Sequence, residues 1–517
     1  MKFQLLPAST VLLLASAASA VPLFSRFETA PDSPQHRLSS FWPHFPGFHP
    51  KPDINTTALQ ELVTAAELEE RANTLYEIAN SSVAEYGNPT RVIGSPGHLG
   101  TIDYILAELG KLSKYYTFYT QDFEALDGKV KSFSLLVDGV EPKSVTALGF
   151  TPPTKDKRPV HGDLVLVKNF GCELSDFPAA ANNSIVLIQR GVCPFGDKSS
   201  NAGKAGALAA IVYNTEKGPF RGTLGTPTGD EVATLSISSE DAEPYLAALA
   251  KGKHLETTVY VDSYVVQIKT TNIVAETKQG DHANVVMLGG HSDSVAAGPG
   301  INDDGSGSIS LLTVAKALTN FKVKNAVRFA WWAAEEEGLL GSDHYVSQLT
   351  ETENQKIRLF MDYDMMASPN YAYQVYDANN SANPNGSEEL KNLYIDWYVE
   401  HGLNYTLIPF DGRSDYDAFI KGGIPGGGIA TGAEAVKTKK EQAMFGGKAG
   451  EWLDQCYHQL CDDLDNVNYD AWVVNTKLIA HSVATYAGSF DGFPQRKDAA
   501  VSAVVPPFKY HGNKLIM

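Results

Sequence analysis

The chain reads as an α/β protein: a mixed, largely parallel sheet covered by helices on both faces, with a β-rich module inserted into it. Two observations predict the sheet. Runs such as "NVVMLGG", "AVRFAWW" and "IRLFM" are apolar on consecutive rather than alternate positions, the pattern of strands buried on both faces. Helical patterns such as "ISLLTVAKAL" lie between them, as in sheets built from parallel strands and helices. A third observation predicts the insertion: residues 128–265 give short β-rich runs, "SFSLLVDG", "GDLVLVKN" and "SIVLIQRG", separated by Gly, Pro and Asn turns.

In chain order, "MKFQLLPASTVLLLASAASAVP" carries Lys2, an apolar stretch ending in Leu12, Leu13 and Leu14, and the small-x-small triplet Ala18-Ser19-Ala20. That predicts a signal peptide over residues 1–20, cleaved after Ala20. Its apolar run is too short for a membrane span, and no other segment reaches the roughly 18–20 apolar residues a span needs. Residues 21–58, including "FWPHFPGFHPKPD", lead with no helix or strand period and read as a leader or pro-segment. From Leu59 to Tyr86 apolar residues recur at helical spacing, and "GSPGHLGTIDYILAELGKL" follows as a turn and an amphipathic helix. The main domain is expected over residues 59–127 and 266–495, the insertion over 128–265, and a C-terminal tail over 496–517. One helix is expected inside the insertion, over "DKSSNAGKAGALAAIVYN".

At 517 residues the chain has length for two or three domains with real cores. Its 60 acidic and 42 basic residues leave a formal net charge of −18, which argues against a nucleic-acid surface and a polybasic membrane contact. Cys172, Cys193, Cys456 and Cys461 form an even set without a reactive-cysteine motif, and pairing near neighbours gives bridges Cys172–Cys193 and Cys456–Cys461. In the secretory pathway the N-x-S/T sequons at Asn55, Asn80, Asn182, Asn379, Asn385 and Asn404 become glycan acceptors. The mature protein is expected to be a soluble secreted monomer, with the vacuole as the alternative destination.

Sites in such sheets lie beyond the carboxyl ends of the strands. After "NVVMLGG", the loop "HSDSVAAGPGINDDGSGS" supplies His291, Asp293, Asp303 and Asp304. After "AVRFAWWAA" come Glu335, Glu336 and Glu337; after "IRLFM" come Asp362 and Asp364; "CYHQLCDDLDN" sets His458 between two cysteines. Adjacent carboxylates at the end of a buried strand repel unless protons or cations intervene. Taken singly, each group has an ordinary reading as a packed histidine, an Asp-Asp-Gly turn, or an acidic helix start favoured by the helix dipole. Together, two imidazoles and several carboxylates without free thiolates match the ligand set of a hydrolytic zinc site. Two metal ions would neutralise the cluster.

With "RFAWWAAEEEGLLGS", "DMMASPN" and "GRSDYDAF", these stretches resemble the successive signatures of the co-catalytic zinc aminopeptidases, the fungal aminopeptidase Y and secreted leucine aminopeptidase type, from about Leu59 to Gly492. The insertion, with "ELSDFPAAANNSIVLIQRGVCPFGDKSSNAGKAGALAAIVYN", resembles a protease-associated domain. The resemblance implies a zinc peptidase fold and two zinc ions per chain. It makes His291 and Asp364 ligands of one ion, Glu336 and His458 ligands of the other, and Asp303 the bridge. Asp364 is preferred to Asp362 because the family's ligand is followed by Met-x-x-Ser-Pro-Asn. Glu335 becomes general base for a metal-bridging hydroxide, Tyr457 a donor to the oxyanion, and Asp293 the carboxylate that orients His291. Glu335, Asp364, Tyr457 and Arg413 would meet the substrate, the N-terminus of a peptide or protein beginning with an apolar residue such as Leu. Tyr457 has an alternative reading as a packing residue on a disulfide-tied loop, and Glu337 has no assigned role. A carboxypeptidase on this scaffold would need a basic patch, and no Arg or Lys cluster lies near the motifs. A metal-free receptor-like ectodomain would have lost ligands, and all five ligand positions and the base are filled.

Overall fold

The computed structural model describes residues 51–496, apart from residues 216, 219, 221 and 226. The expected signal peptide, the leader up to residue 50 and the tail beyond residue 496 lie outside the described residues. From Lys51 the backbone is already tied to the main body: Asp53 bridges Lys322, and Ile54 N donates to Lys322 O at 2.9 Å. Helix Ala65–Asn80 starts where the Thr64 side chain accepts from Glu67 N. Helix Pro96–Lys111 starts the same way at Ser95, with proline in the first turn where its missing N–H leaves no donor unpaired.

Four parallel strands form the centre of the sheet, in the order Gly426–Ala430, Ile357–Tyr363, Asp281–His291, Asn325–Trp332. Gln374–Tyr376 adds antiparallel on one side, followed by Thr406–Ile408, and Glu256–Thr277 adds antiparallel on the other. Burial on both faces explains the consecutive apolar runs. Val286, Leu288, Phe329 and Trp331 point into one core with helices Gly305–Leu318 and Tyr469–Gly488. Their chain neighbours Val285, Met287, Ala330 and Trp332 point into the opposite core with Phe360 and Phe419. Trp331 and Trp332 are both fully buried. An aromatic ring removes about 150–250 Å² from water. At about 25 cal/mol/Å² each contributes more than any single net hydrogen bond in the sheet. The register places His291 beside Trp332 and Asp362 beside Gly289, so the carboxyl ends of three strands finish level.

The insertion is reached by a ribbon of two antiparallel strands, Tyr116–Val137 and Glu256–Thr277, paired from Tyr116↔Thr277 to Val137↔Thr257. Both run unbroken through residues 128 and 265. Strand Val160–Leu166 pairs antiparallel with the ribbon, and Ile185–Gln189, Ala209–Tyr213 and Thr234–Ile237 follow it in parallel. The helix expected over residues 197–214 ends early: helix Phe195–Lys204 stops before Gly206, at φ +80, and the rest becomes strand Ala209–Tyr213. A left-handed glycine ends the helix, and the β-branched Ile211 and Val212 then pair with neighbours on both sides. The disulfides are Cys172–Cys193 and Cys456–Cys461. Among the described residues no helix is long and apolar enough to cross a membrane.

Candidate metal centre

His291 ends its strand, Asp303 and Asp304 lie just ahead of helix Gly305–Leu318, and Glu335 and Glu336 follow strand Asn325–Trp332. Asp364 follows strand Ile357–Tyr363, and His458 sits within the Cys456–Cys461 loop. The chain turns sharply at these ends. Ala334, Met365 and His458 hold left-handed backbone at φ 60, 58 and 58, a conformation costing a non-glycine residue about 1–3 kcal/mol. The Asp303–Asp304 peptide is cis.

Asp303 faces both imidazoles. Its Oδ1 lies 3.3 Å from His291 Nε2 and its Oδ2 lies 3.0 Å from His458 Nε2. Asp364 Oδ1 is 3.8 Å from His291 Nε2, and Glu336 Oε2 is 3.0 Å from His458 Nε2. Glu335 Oε2 comes within 3.9 Å of His291 Nε2. Asp293 Oδ1 lies 3.6 Å from the other ring nitrogen of His291, and its carboxylate accepts from the backbone N–H of Glu335 and Glu336. Asp304 also lies within reach of His291 and Asp364. Its oxygens are taken by the backbone N–H groups of His291, Gly307 and Met365, so it ties three loops together while Asp303 faces the imidazoles.

Particular atoms of this cluster lack a hydrogen-bond partner. Among the described residues, Nε2 of His291, Oδ2 of Asp303 and Oδ1 of Asp364 face the centre and are buried without a hydrogen bond. Buried polar atoms are normally paired, so their convergence points to something bound between them. Burial would lower both histidine pKa values. Instead Glu335, Asp293, Asp303 and Asp364 carry His291 well above its ordinary value, and Glu336 and Asp303 hold His458 up to about 10. Burial drives Glu335 well above the usual carboxylate range, against His291 and with help from Asp364 and Asp415. For Asp303 the two histidines outweigh burial and its pKa falls. The carboxylates favour protons on the two imidazoles, the positive charge that such a cluster attracts. Imidazole nitrogen and carboxylate oxygen without thiolate are the donors a divalent cation would take in their place.

Residues 272–483 match the model of peptidase family M28, and residues 160–245 match that of the PA domain. Over 491 residues the chain is 52% identical to aminopeptidase Y of Saccharomyces cerevisiae, covering 92% of this chain and 89% of that protein. The chain belongs to peptidase family M28. It is 47% identical over 422 residues to leucine aminopeptidase 2 of Trichophyton equinum, covering 81% of this chain and 84% of that protein. This M28 chain is therefore a hydrolase, a metallo-exopeptidase of the aminopeptidase kind. An aminopeptidase from Aneurinibacillus sp. strain AM-1 superposes with TM-score 0.69 at 25% identity, covering 88% of this chain and 99% of that one. A zinc aminopeptidase from Bacillus subtilis shares the fold at TM-score 0.60 and 23% identity, covering 84% and 98% of the two chains.

Beside the M28 centre opens a cavity of about 190 Å³ lined by Asp364, Met365, Tyr376, Ile408, Arg413 and Tyr457, among others. The Tyr457 ring stacks on His458 with centroids 3.8 Å apart. Burial, then Asp303, pushes the Tyr457 hydroxyl well above its ordinary pKa, so it stays protonated and able to donate. Arg413 Nη2 pairs with Glu434 Oε1 at 3.0 Å, and Ser414 donates its hydroxyl to Asp364. Asp362 is fully buried with neither oxygen partnered, and burial and Asp415 drive its pKa well up; Asp364 is the one that faces His291. Glu337 is half-buried, its pKa pushed well up by burial and Asp293. All six sequon asparagines are at least partly exposed.

Sequence reading missed the ties between the loops. Asp462 accepts from the backbone N–H of Asn302 and Asp303 at 2.9 and 3.0 Å. Asp454 accepts from the side chains of Asn302 and Asn466, joining the loop that carries Asp303 to the loop that carries His458. "CDDLDN" contains such residues, but no spacing rule separates a buried acceptor from a solvated one.

Proposed function

We propose that the chain is a zinc-dependent aminopeptidase that removes N-terminal residues, apolar ones such as leucine among them, from peptides and proteins. The observation that carries this reading is Asp303, whose two oxygens face two imidazoles at 3.3 and 3.0 Å, each imidazole with a further carboxylate. Two zinc ions per chain fit that donor set. His291 and Asp364 would hold one, Glu336 and His458 the other, and Asp303 would bridge them. Bound zinc would lower the pKa of water and polarise the scissile carbonyl.

The chain's own groups supply the rest. Glu335 is near the centre yet outside its ligand pairs, so it takes a proton from the attacking water and returns it to the leaving amine. Tyr457 donates its hydroxyl to the oxygen that gains charge in the transition state. Asp293 holds the His291 ring through the nitrogen that faces away from Asp303. The free α-amino group of the substrate meets Glu335 and Asp364, and the Arg413–Glu434 pair shapes the cavity wall beside them. Met365, Tyr376 and Ile408 give that cavity the apolar surface an N-terminal leucine side chain would cover.

On this reading residues 59–127 and 266–495 form the peptidase domain, 128–265 the protease-associated insertion, and the protein acts outside the cell as a monomer, with the vacuole the alternative destination. The test is hydrolysis of leucyl-p-nitroanilide against its N-acetylated form, before and after chelation and zinc return. Cleavage of the free-amine substrate alone, lost with chelation and restored by zinc, is the expected result. Equal cleavage of both substrates, or turnover indifferent to chelation, would overturn it.

A further inference from the structure

The loop from Ser292 to Asn302 joins two proposed ligands, His291 and Asp303, and it is buried against a segment far away in sequence. That segment is residues 88–98, which precede the family match at 272–483. Arg91 is fully buried at its centre. Its guanidinium donates to three carbonyls of the loop: Nε to Pro299 O at 2.8 Å, Nη2 to Gly300 O at 2.6 Å, and Nη1 to Ser292 O. Its backbone N–H donates to Ser294 Oγ at 2.9 Å. Thr90 donates its hydroxyl to Val295 O at 2.9 Å, and His98 Nε2 lies 3.1 Å from Ser292 Oγ. A Cβ on Gly300, at φ +61, would sit 2.2 Å from Asp303 O and 3.1 Å from Arg91 Nη2, so the approach of loop to guanidinium depends on that glycine.

We infer that Arg91 is a positioning residue of the metal centre, the template that holds the His291–Asp303 loop in ligand geometry. The inference rests on the metal-centre reading above. A guanidinium is a rigid planar fork with five donors, and here it spans carbonyls from both ends of the loop. Its charge faces Asp293, Asp304, Asp462 and Asp303. It therefore offsets repulsion among carboxylates that must converge before any cation arrives. Lysine in its place keeps the charge and loses the fork; glutamine loses the charge and leaves loop carbonyls without donors.

The test measures zinc dissociation constants by chelator competition for wild type, Arg91→Gln, Arg91→Lys and Thr90→Val, beside the absorption spectrum of the cobalt-loaded proteins. Arg91→Gln should bind zinc roughly 10–100-fold more weakly and shift the cobalt spectrum, as loss of a residue behind a metal ligand does. Arg91→Lys should fall between, and guanidinium chloride below the unfolding transition should restore part of the affinity of Arg91→Gln. A folded Arg91→Gln with wild-type zinc affinity and cobalt spectrum, whatever its melting temperature, would overturn the inference. If Arg91→Gln does not fold, Arg91→Lys and Thr90→Val decide: weakened zinc binding supports the template role, and wild-type affinity in both overturns it. Wild-type protein that binds no zinc would sink the metal-centre reading itself, and this inference with it.

Discussion

Two blocks of four parallel strands can be compared in this molecule. Gly426–Ala430, Ile357–Tyr363, Asp281–His291 and Asn325–Trp332 make one, in the main body. Val160–Leu166, Ile185–Gln189, Ala209–Tyr213 and Thr234–Ile237 make the other, in the insertion. Ile185–Gln189, Ala209–Tyr213 and Thr234–Ile237 are buried like the strands of the main body while Val160–Leu166 is largely half-buried or exposed, and the carboxyl ends of the two blocks differ. In the insertion, Arg190 after one strand donates to Asn214 after the next at 3.0 Å, and buried Lys198 Nζ donates to Phe170 O and Gly191 O at 2.5 and 2.8 Å. In the main body the strand ends deliver His291, Asp364 and the Glu335–Glu336 pair to a space where several polar atoms have no protein partner. One block closes on itself and the other is completed from outside. Buried groups left without partners, rather than the sheet itself, separate a working site from a structural module.

The sharpest way to break that contrast is Glu335→Gln. The variant should lose roughly 10²–10⁴-fold in kcat/KM while keeping its zinc; wild-type turnover would remove Glu335 from its role. Tyr457→Phe keeps the ring stacked on His458 and removes only the donor. Steady-state kinetics should show a fall of about 10²–10³ in kcat with KM little changed; a change in KM alone would make Tyr457 a packing residue.

Metal affinity provides a third comparison. Without metal His458 is held up to about 10, so at neutral pH it is protonated and zinc must displace that proton. Raising the pH removes the competitor, and affinity should climb by about tenfold per pH unit for each proton released, over about pH 6–8. Competition titrations across that range check it, and a flat profile would contradict it. The smallest effect belongs to the insertion. Lys198→Met should lower the unfolding free energy by about 1–3 kcal/mol, by stripping two buried carbonyls of their donor, and leave kcat on leucyl-p-nitroanilide at the wild-type value. A loss of turnover would show that the insertion's interior reaches the site after all.

Much of the body was legible because its signals are local. "AVRFAWW" announces a strand buried on both faces, and the carboxylates and histidines after such runs stand where an α/β sheet collects its site. The helix misread over 197–214 failed because Ala and Gly runs fit either period, and pairing with strands on both sides decided for Ala209–Tyr213. The boundaries set at 128 and 265 fall within continuous strands, since composition changes along the ribbon while its backbone pairing does not. Arg91 and the Asp454–Asn466 tie were not legible at all. They act across 201–209 and 12 residues of sequence, on backbone carbonyls and amide side chains that leave no periodic trace.

The claim on which the rest depends is that Asp303 sits between two metal ions. Anomalous diffraction at the zinc edge from crystals of the zinc-loaded protein tests it most directly. Two peaks are predicted, one between His291 and Asp364 and one between Glu336 and His458, on either side of Asp303. A single peak, or density that engages Asp362 in place of Asp364, would contradict the account.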